Sequence, residues 1–318
     1  MRVFITGMGG ELGTAVAQLV EDDPSVEAVA GADLFPPRRR LDRAEFHRID
    51  PRNRQRMSAV IRAFAPTALL HLGVYEPYSR SSPRAAVART AAGTAVALEA
   101  ALAGGRLDRV VVRSGIEVYG RQRGAPLHPD EEVPPAPTSA FGHTMLHVEQ
   151  VSGEAGRRVG AAVAVLRFAP IVGPHVPSPL GRLLRLPAVP FSPLADPVFS
   201  VVHQHDVAAT FVAAMHQRFH GPLNVVGPGA VTASQAARLG GRAPVPVAGS
   251  GWRVARALAR LAGAPVPDHV HELLVRGRTA DGSRVTGMLG IRLLHHTPEV
   301  VRQLYAWEPI DYLRSTAA

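Results

Sequence analysis

The 318-residue sequence contains no cysteine and no lysine. Without cysteine, the chain has no disulfides, no thiol nucleophile and no thiolate metal ligand. Without lysine, it has no Schiff-base amine and no ammonium group that could shuttle protons, because an arginine guanidinium stays protonated. These two absences exclude several classes of catalytic mechanism before any motif is considered.

The basic residues are all arginine, 35 in number, and the formal net charge is +9. They are spread along the whole chain, and the densest cluster is only Arg38, Arg39 and Arg40. No basic stripe interleaved with aromatic residues and no helix-turn-helix spacing accompanies them. The charge therefore does not predict a nucleic-acid partner.

Long apolar runs are also lacking. No stretch of sequence approaches the roughly 18 apolar residues that a membrane span needs. The first ten residues, MRVFITGMGG, do not have the layout of a secretory signal and resemble a buried strand that enters a turn. We therefore expect a cytoplasmic protein with no membrane partner.

Short apolar runs alternate with helical patterns over the first two thirds of the chain, which is typical of an α/β fold with a doubly wound parallel sheet. Strands are expected near 3–6, 26–32, 46–49, 68–72, 110–112 and 162–168, and helices near 11–21, 57–64, 84–103 and 139–154. The division predicted is a Rossmann-type domain at 1–172, to which 198–227 return. Residues 173–197, which are proline-rich and expected to be irregular, and 228–318 would form a smaller substrate lobe.

A glycine turn follows the first strand and opens the first helix, with Gly7, Gly10 and Gly13 in the spacing of a dinucleotide-binding loop. Such a turn presents free backbone N–H groups and the positive end of the helix dipole to phosphates. Asp33 ends the second strand about 20 residues further on, where a carboxylate suits the ribose hydroxyls of NAD. Arg38 to Arg40 lie close enough to leave NADP open.

Several motifs in the same order resemble the extended short-chain dehydrogenase/reductase family, the group of NAD-dependent sugar-nucleotide epimerases and dehydratases. They are Thr6 to Gly13 (TGxxGxxG), Asp50 after the third strand, His71-Leu72-Gly73, Gly93-Thr94, Val118-Tyr119-Gly120, Leu166-Arg167 and His203 to Ala208, where HQHDVA resembles the HVDDVA of the family. The resemblance implies a Rossmann fold and a bound nicotinamide cofactor, with Asp50 near the adenine and Leu72 lining the cofactor. It also implies a homodimer built on the helices near 84–103 and 139–154.

The departures from this family fall on its catalytic groups. The serine or threonine of the family aligns with Gly115, the tyrosine of its YxxxK motif with Phe141, and the lysine with Met145. The family mechanism needs a phenol that exchanges a proton beside an ammonium group, and neither phenylalanine nor methionine supplies one. The absence of lysine excludes a relocated YxxxK motif.

Three other residues are candidates for the chemistry: Glu117, His143 and Tyr119. Glu117 stands where the dehydratases of the family carry a catalytic glutamate, and His143 lies near the lost tyrosine, where it could exchange a proton near neutral pH. Each has a plainer interpretation: Glu117 as a strand-end polar residue, His143 as a solvated helix-surface histidine and Tyr119 as a packed core residue.

No metal site is predicted from the histidines. His203 and His205 are expected to alternate along an extended segment, so that only one faces inward. His295 and His296 are neighbours whose side chains diverge, and neither pair has a third partner at ligand spacing.

Two functional hypotheses follow. In the first, the protein binds NAD or NADP as a structural or vestigial group and acts on a small molecule by a non-standard, non-redox acid/base mechanism. In the second, it is a catalytically silent NAD(P)-binding sensor or regulatory protein. The sequence does not identify the substrate.

Overall fold

The structure is a computed structural model that describes residues 1–307. Its strands are β1 (Arg2–Thr6), β2 (Ala28–Asp33), β3 (Glu45–Arg48), β4 (Ala68–His71), β5 (Arg109–Gly115), β6 (Ala162–Phe168), β7 (Ile171–Val172), β8 (Ala188–Phe191), β9 (Val198–Phe199), β10 (Val202–His203), β11 (Gly221–Val225), β12 (Val231–Thr232) and β13 (Ala243–Pro246).

Its helices are α1 (Glu11–Glu21), α2 (Arg54–Phe64), α3 (Pro83–Ala103), α4 (Ala140–Val159), α5 (Pro179–Leu184), α6 (Gln204–His216), α7 (Ala233–Leu239), α8 (Gly251–Leu261), α9 (Asp268–Arg276), α10 (Arg284–Leu289) and α11 (Thr297–Leu304). A short 3-10 turn, Ile116–Tyr119, follows β5.

Seven parallel strands form the central sheet in the order β11-β6-β5-β4-β1-β2-β3. The inner strands are buried nearly throughout, as expected where helices cover both faces of a parallel sheet. The strand order reverses between β1 and β4. In open α/β sheets a ligand crevice lies at this switch point, outside the carboxyl ends of the strands. The predicted α/β fold is confirmed.

The buried apolar side chains of the described residues form two hydrophobic cores. The first lies around the sheet, and the second packs β8, β9 and helices α5, α7, α8, α9 and α11 together. The second core contains most of the buried apolar residues after 228 and also Val172, Phe199 and Val201, whereas residues 280–293 pack on the sheet core. Residues 173–197 are also not irregular throughout, because they contain α5 and β8.

Helix α3 is the one helix within residues 1–307 that is long and apolar enough, by length and composition, to cross a membrane. The expectation that no segment approaches this limit is therefore wrong for α3. Half of its most apolar window is buried, and the helix packs against α2 and α4. Packing in the protein core accounts for the apolar face of this helix.

The buried side chain of His71, the last residue of β4, contacts both β1 and α3 through its two ring nitrogens. His71 Nδ1 lies 2.7 Å from Thr6 Oγ1, and His71 Nε2 lies 2.8 Å from Thr94 Oγ1. Because the Thr94 hydroxyl donates to the Thr90 carbonyl, it accepts the Nε2 proton, and the imidazole is held neutral between two hydroxyls. Burial lowers the pKa of His71 to about 4.

We expect this histidine to make stability depend on pH. Between the unfolded pKa near 6.5 and the folded pKa of about 4, the unfolded state binds more protons, so stability falls as the pH is lowered through this window. His71 alone contributes up to about 3 kcal/mol of this fall. Urea denaturation at several pH values should show a shallower dependence for His71→Asn than for wild type. The exposed His143→Asn should keep the wild-type dependence, and an unchanged slope in His71→Asn would contradict the argument.

Candidate cofactor cleft and active site

A cleft opens at the switch point of the sheet, between the glycine turn after β1 and the loop after β4. Its lining combines backbone-exposing glycines, one acidic strand end and two arginines: Gly7, Gly10, Glu11, Leu12, Gly13, Asp33, Phe35, Leu72, Gly73, Val74, Tyr75, Glu76, Ser79, Arg80, Arg113, Ile171, Val176 and Pro177. Five of the six predicted cofactor residues, namely Gly7, Gly10, Gly13, Asp33 and Leu72, therefore lie on this one cleft.

The glycines have different physical roles. Gly7 has φ +75°, and a Cβ on it would lie 2.8 Å from the backbone nitrogen of Gly73. A Cβ on Gly13 would lie 2.0 Å from the Gly7 carbonyl oxygen, so α1 can approach the turn only without a side chain there. Gly9 is equally constrained, since a Cβ would lie 1.7 Å from the Phe35 carbonyl oxygen. Sequence reasoning did not single out Gly9.

Gly10 differs because it caps α1 beside the cleft. A Cβ on Gly10 would meet nothing closer than 3.5 Å, and no side chain caps the helix at this residue. The first backbone N–H groups of a helix have no intrahelical partner, and here no side chain at the N-cap satisfies them. This arrangement fits a dinucleotide pyrophosphate, which such a helix start binds through N–H groups and the helix dipole.

Asp33 lies at the far side of the cleft, 7% exposed. Its Oδ1 accepts hydrogen bonds from the Leu34 backbone N–H at 2.6 Å and from the Tyr75 hydroxyl at 3.3 Å. Burial raises the pKa of Asp33, while these hydrogen bonds and the charge of Arg80 oppose the rise. Burial also raises the pKa of Tyr75, so its hydroxyl remains a donor at neutral pH. Asp33 therefore lines the cleft at the end of β2, the position at which the sequence predicts a ribose-binding residue.

The arginine cluster does not reach this part of the cleft. Arg38 Nε lies 3.8 Å from Glu11 Oε1, Arg39 borders a different cavity, and Arg40 is paired with Asp42. The arginines that line the cleft are instead Arg80 and Arg113.

Asp50, which the resemblance placed near the adenine, does not line the cleft. Hydrogen bonds from Arg52 hold the pKa of Asp50 below its usual range. Its neighbours Ile49 and Pro51 line a small apolar cavity together with Asp33 and Tyr75, but Asp50 itself does not line that cavity.

A second cavity adjoins the cleft, and Glu76, Arg113 and Ile171 line both. It also contains all three positions at which the resemblance expects catalytic groups, namely Gly115, Phe141 and Met145. Phe141 is 6% exposed and Met145 is 2% exposed, so both are packed apolar residues. Burial lowers the pKa of Arg113, which stays cationic, and its Nε is buried with no hydrogen-bond partner among residues 1–307.

Glu117 takes the space that a side chain at position 115 would fill. A Cβ on Gly115 would lie 2.2 Å from Glu117 Oε2. The other carboxylate oxygen, Oε1, lies 3.1 Å from Arg278 Nη1, and Arg278 Nη2 lies 2.5 Å from Glu272 Oε2. Arg278 is 2% exposed, so this is a buried network of two carboxylates around one guanidinium. The predicted candidate Glu117 therefore does face the cavity, as an ion-paired carboxylate.

A histidine lies against the ring of Phe141. The imidazole of His269 has its centroid 4.7 Å from that of Phe141. His269 Nε2 lies 3.0 Å from Glu76 Oε1, and His269 is 4% exposed. A histidine and carboxylate pair thus lies beside the position that the resemblance assigns to tyrosine.

The structure does not bring the other two predicted candidates to this cavity. His143 is exposed on α4, and it borders neither the cleft nor the second cavity. Tyr119 is buried; its hydroxyl donates to Asn224 at 2.8 Å and accepts from Arg167 at 2.9 Å. Tyr119 is therefore held in the core by hydrogen bonds, as its plainer interpretation expected.

The groups that sequence reasoning missed are Glu76, Arg113, His269 and Arg278. Glu76 and His269 are 193 positions apart, and Glu117 and Arg278 are 161 apart. No local spacing or periodicity links such distant residues, so nothing in the one sequence could have paired them. Only the docking of α9 and the segment after it onto the sheet domain brings them together.

The histidine cluster corrects another expectation. His205 does not continue an extended segment but lies in the first turn of α6. A third histidine, His295, has a ring nitrogen within 4.8 Å of ring nitrogens of His203 and His205. The argument that the pair lacks a third partner is therefore wrong.

We expect Gly10→Ala to separate cofactor binding from folding. The new methyl group clashes with nothing in the protein, so stability should change by less than about 1 kcal/mol. It would project toward the pyrophosphate, and the Kd for NAD measured by calorimetry should rise at least about tenfold. Gly13→Ala, whose Cβ meets the Gly7 carbonyl, should instead lower the melting temperature clearly. Wild-type NAD affinity in Gly10→Ala would show that phosphates do not bind at this helix start.

A double-mutant cycle tests the fit of Glu117 against Gly115. Gly115→Ala forces the carboxylate away from Arg278 and should destabilise the protein by about 1–3 kcal/mol. In the Glu117→Ala background the same substitution should cost much less, because the clashing carboxylate is gone. Urea denaturation of the four proteins measures the coupling. Additive effects within about 0.5 kcal/mol would show that the two positions do not compete for space.

Comparison with known proteins agrees with this geometry. Residues 3–227 match the model of the NAD-dependent epimerase/dehydratase family. An uncharacterized protein from Mycobacterium tuberculosis is 30% identical over 303 residues, which cover 91% of this chain and 79% of that protein. A UDP-glucose 4-epimerase from Azospirillum brasilense is 28% identical over 185 residues, or 57% of this chain and 51% of that enzyme.

Solved structures show the same fold at lower identity. The UDP-glucose 4-epimerase of Thermotoga maritima with UDP-glucose is 20% identical, with a TM-score of 0.73 over 96% of this chain and 98% of that one. The UDP-glucuronic acid 4-epimerase of Bacillus cereus, in complex with UDP-glucuronic acid and NAD, is 18% identical, with a TM-score of 0.74 over the same shares of the two chains. The family match spans most of the sheet domain, and the chain belongs to the NAD-dependent epimerase/dehydratase family.

Proposed function

We propose that the protein binds NAD in the cleft and acts on a nucleotide-linked sugar in the adjoining cavity by acid/base chemistry without net redox change. The observation that carries this proposal is the His269–Glu76 pair, which lies against Phe141 where the family resemblance expects the tyrosine. The substrate class is suggested by the relatives, which include epimerases of UDP-glucose and UDP-glucuronic acid.

The cofactor residues fit NAD. The Gly7 to Gly13 turn would hold the pyrophosphate, and Asp33 would hold the adenosine ribose through its carboxylate. No residue of the cluster Arg38 to Arg40 lines this cleft, so no guanidinium from it is placed for the 2′-phosphate of NADP. NAD when bound supplies a hydride acceptor. In this proposal it would be retained as a structural group in the cleft.

The proton-transfer group is His269. The Glu76 carboxylate accepts the Nε2 proton, which fixes the tautomer and leaves the Nδ1 lone pair to take a proton from the substrate. The Phe141 ring supports the imidazole on one side. A histidine held in this way suits removal of a proton from carbon next to a carbonyl or carboxyl group, followed by its return or by elimination.

The charged groups around the cavity would bind and orient the substrate. Glu117 Oε1 is ion-paired with Arg278, and the Glu117 carboxylate offers hydrogen-bond acceptors for sugar hydroxyls. Arg113 lines both the cleft and the cavity, and its guanidinium, which donates to the Val74 carbonyl through Nη1, is a cationic hydrogen-bond donor at their junction. That donor suits the developing negative charge on a substrate oxygen, because charge-assisted hydrogen bonds are strong where water is excluded.

The usual redox chemistry of the family is not proposed. Phe141 and Met145 are buried and apolar, and the sequence has no lysine to lower the pKa of any phenol near the cofactor. By the same resemblance we expect the protein to be a cytoplasmic homodimer. The two helices that the resemblance assigns to the dimer interface, α3 and α4, pack against each other within the chain.

The test is turnover of nucleotide sugars in deuterated water. The protein with NAD is incubated with UDP-glucuronic acid, UDP-glucose and their 4-keto derivatives, and NMR follows solvent deuterium entering carbon next to a carbonyl or carboxyl group. Deuterium should be incorporated without NADH absorbance. His269→Asn should slow the exchange by about 10²–10⁴-fold, the usual contribution of a positioned acid or base. Glu76→Gln should slow it less.

Exposed His143→Asn is the matched control and should exchange at the wild-type rate. Full activity in His269→Asn, or rapid epimerisation accompanied by NADH, would overturn the mechanism. NAD binding by calorimetry with no exchange on any of these sugars would favour the silent sensor instead.

A further inference from the structure

Three histidines converge at the start of α6, away from the active-site cavity. His203 ends β10 and caps α6, His205 lies in the first turn of that helix, and His295 comes from the segment between α10 and α11. One ring nitrogen from each can be chosen so that all three lie within 4.8 Å of one another. The rings of His203 and His295 stack with centroids 4.0 Å apart, and that of His205 lies edge-on, 4.7 Å from His203.

We propose that these three imidazoles form a binding site for a zinc-type divalent cation. Zinc is commonly held by three protein ligands with a fourth position left for water, and its nitrogen ligands lie about 2.0–2.1 Å from the metal. Tetrahedral ligands at this distance are about 3.4 Å apart, so small rotations of the three side chains suffice. Imidazole nitrogens also favour zinc, copper or nickel over magnesium or calcium.

The surroundings already orient one of the ligands. Asp206 Oδ1 and Oδ2 accept hydrogen bonds from the backbone N–H groups of Leu294 and His295, each at 3.1 Å. The same Oδ2 lies 3.1 Å from His295 Nδ1, a buried atom that makes no well-aligned hydrogen bond among the described residues. A carboxylate beside the second nitrogen of a ligating histidine is the usual support of a zinc ligand.

Metal binding would disturb little of the existing structure. His203 Nδ1 accepts the His205 backbone N–H at 3.3 Å, a long hydrogen bond whose loss costs little.

The site borders a cavity of about 460 Å³ lined in part by His205, His295, Gln204, Arg39 and Arg292. The graded exposure of the three histidines, from buried His203 to exposed His205, leaves one side of the cluster open. A metal-bound water would occupy that side, within reach of solvent.

The test is zinc titration of the full chain after treatment with a chelator. Calorimetry with Zn²⁺ should give one site per chain with micromolar or tighter affinity, and Zn²⁺ should raise the melting temperature. His205→Gln, at an exposed position, should weaken zinc binding at least about tenfold without changing the melting temperature of the metal-free protein. Cobalt in place of zinc should give the visible absorption of a tetrahedral site.

The neighbouring exposed His296→Gln is the matched control, and it should bind zinc as wild type does. His295→Gln is a second loss-of-ligand variant, which should also abolish the cobalt absorption. The absence of saturable binding at 100 μM Zn²⁺, or equal affinity in His205→Gln and wild type, would overturn the proposal. NAD affinity should be the same in His205→Gln and wild type, which separates this site from the cofactor cleft.

Discussion

The close packing of the turn after β1 is the constraint on which the ligand-binding half of this protein depends. Gly7 lies directly against the backbone of Leu72 and Gly73, and Gly13 lies against the carbonyl of Gly7, with no room for a Cβ at either glycine. This contact brings the start of α1 to the switch point of the sheet. The cleft, its exposed backbone N–H groups and the position of Asp33 all follow from it.

The adjoining cavity depends on the fit between Gly115 and the Glu117–Arg278 ion pair. The hydrogen atom of Gly115 leaves space for the Glu117 carboxylate, and Arg278 compensates the buried charge. Glycine at position 115 is therefore part of the packing of this ion pair. It admits a carboxylate and a guanidinium into the interior, where removing either partner alone would leave a costly unpaired charge.

Elements with a strong local pattern could be predicted. The helices near 11–21 and 84–103 and the buried strands agree with the predicted bounds within two residues, except that β5 extends three residues further, because periodicity and burial are local signals. Less was recoverable in the smaller lobe, where short apolar runs and prolines conceal α5 and β8. In the candidate site, the glycine turn and Asp33 could be found, since their spacing is fixed by a single strand-turn-helix unit.

The sequence by itself determined the fold class, the cofactor loop and the absence of any amine or thiol chemistry, because these depend on residue identity and short spacings. The tertiary structure alone decided which distant side chains meet. It brought His269 to Glu76, Arg278 to Glu117 and His295 to His203, while leaving His143 at the surface. The physical reason is that such pairs form when helices and loops dock onto the sheet, and the geometry of docking is not encoded in any local pattern.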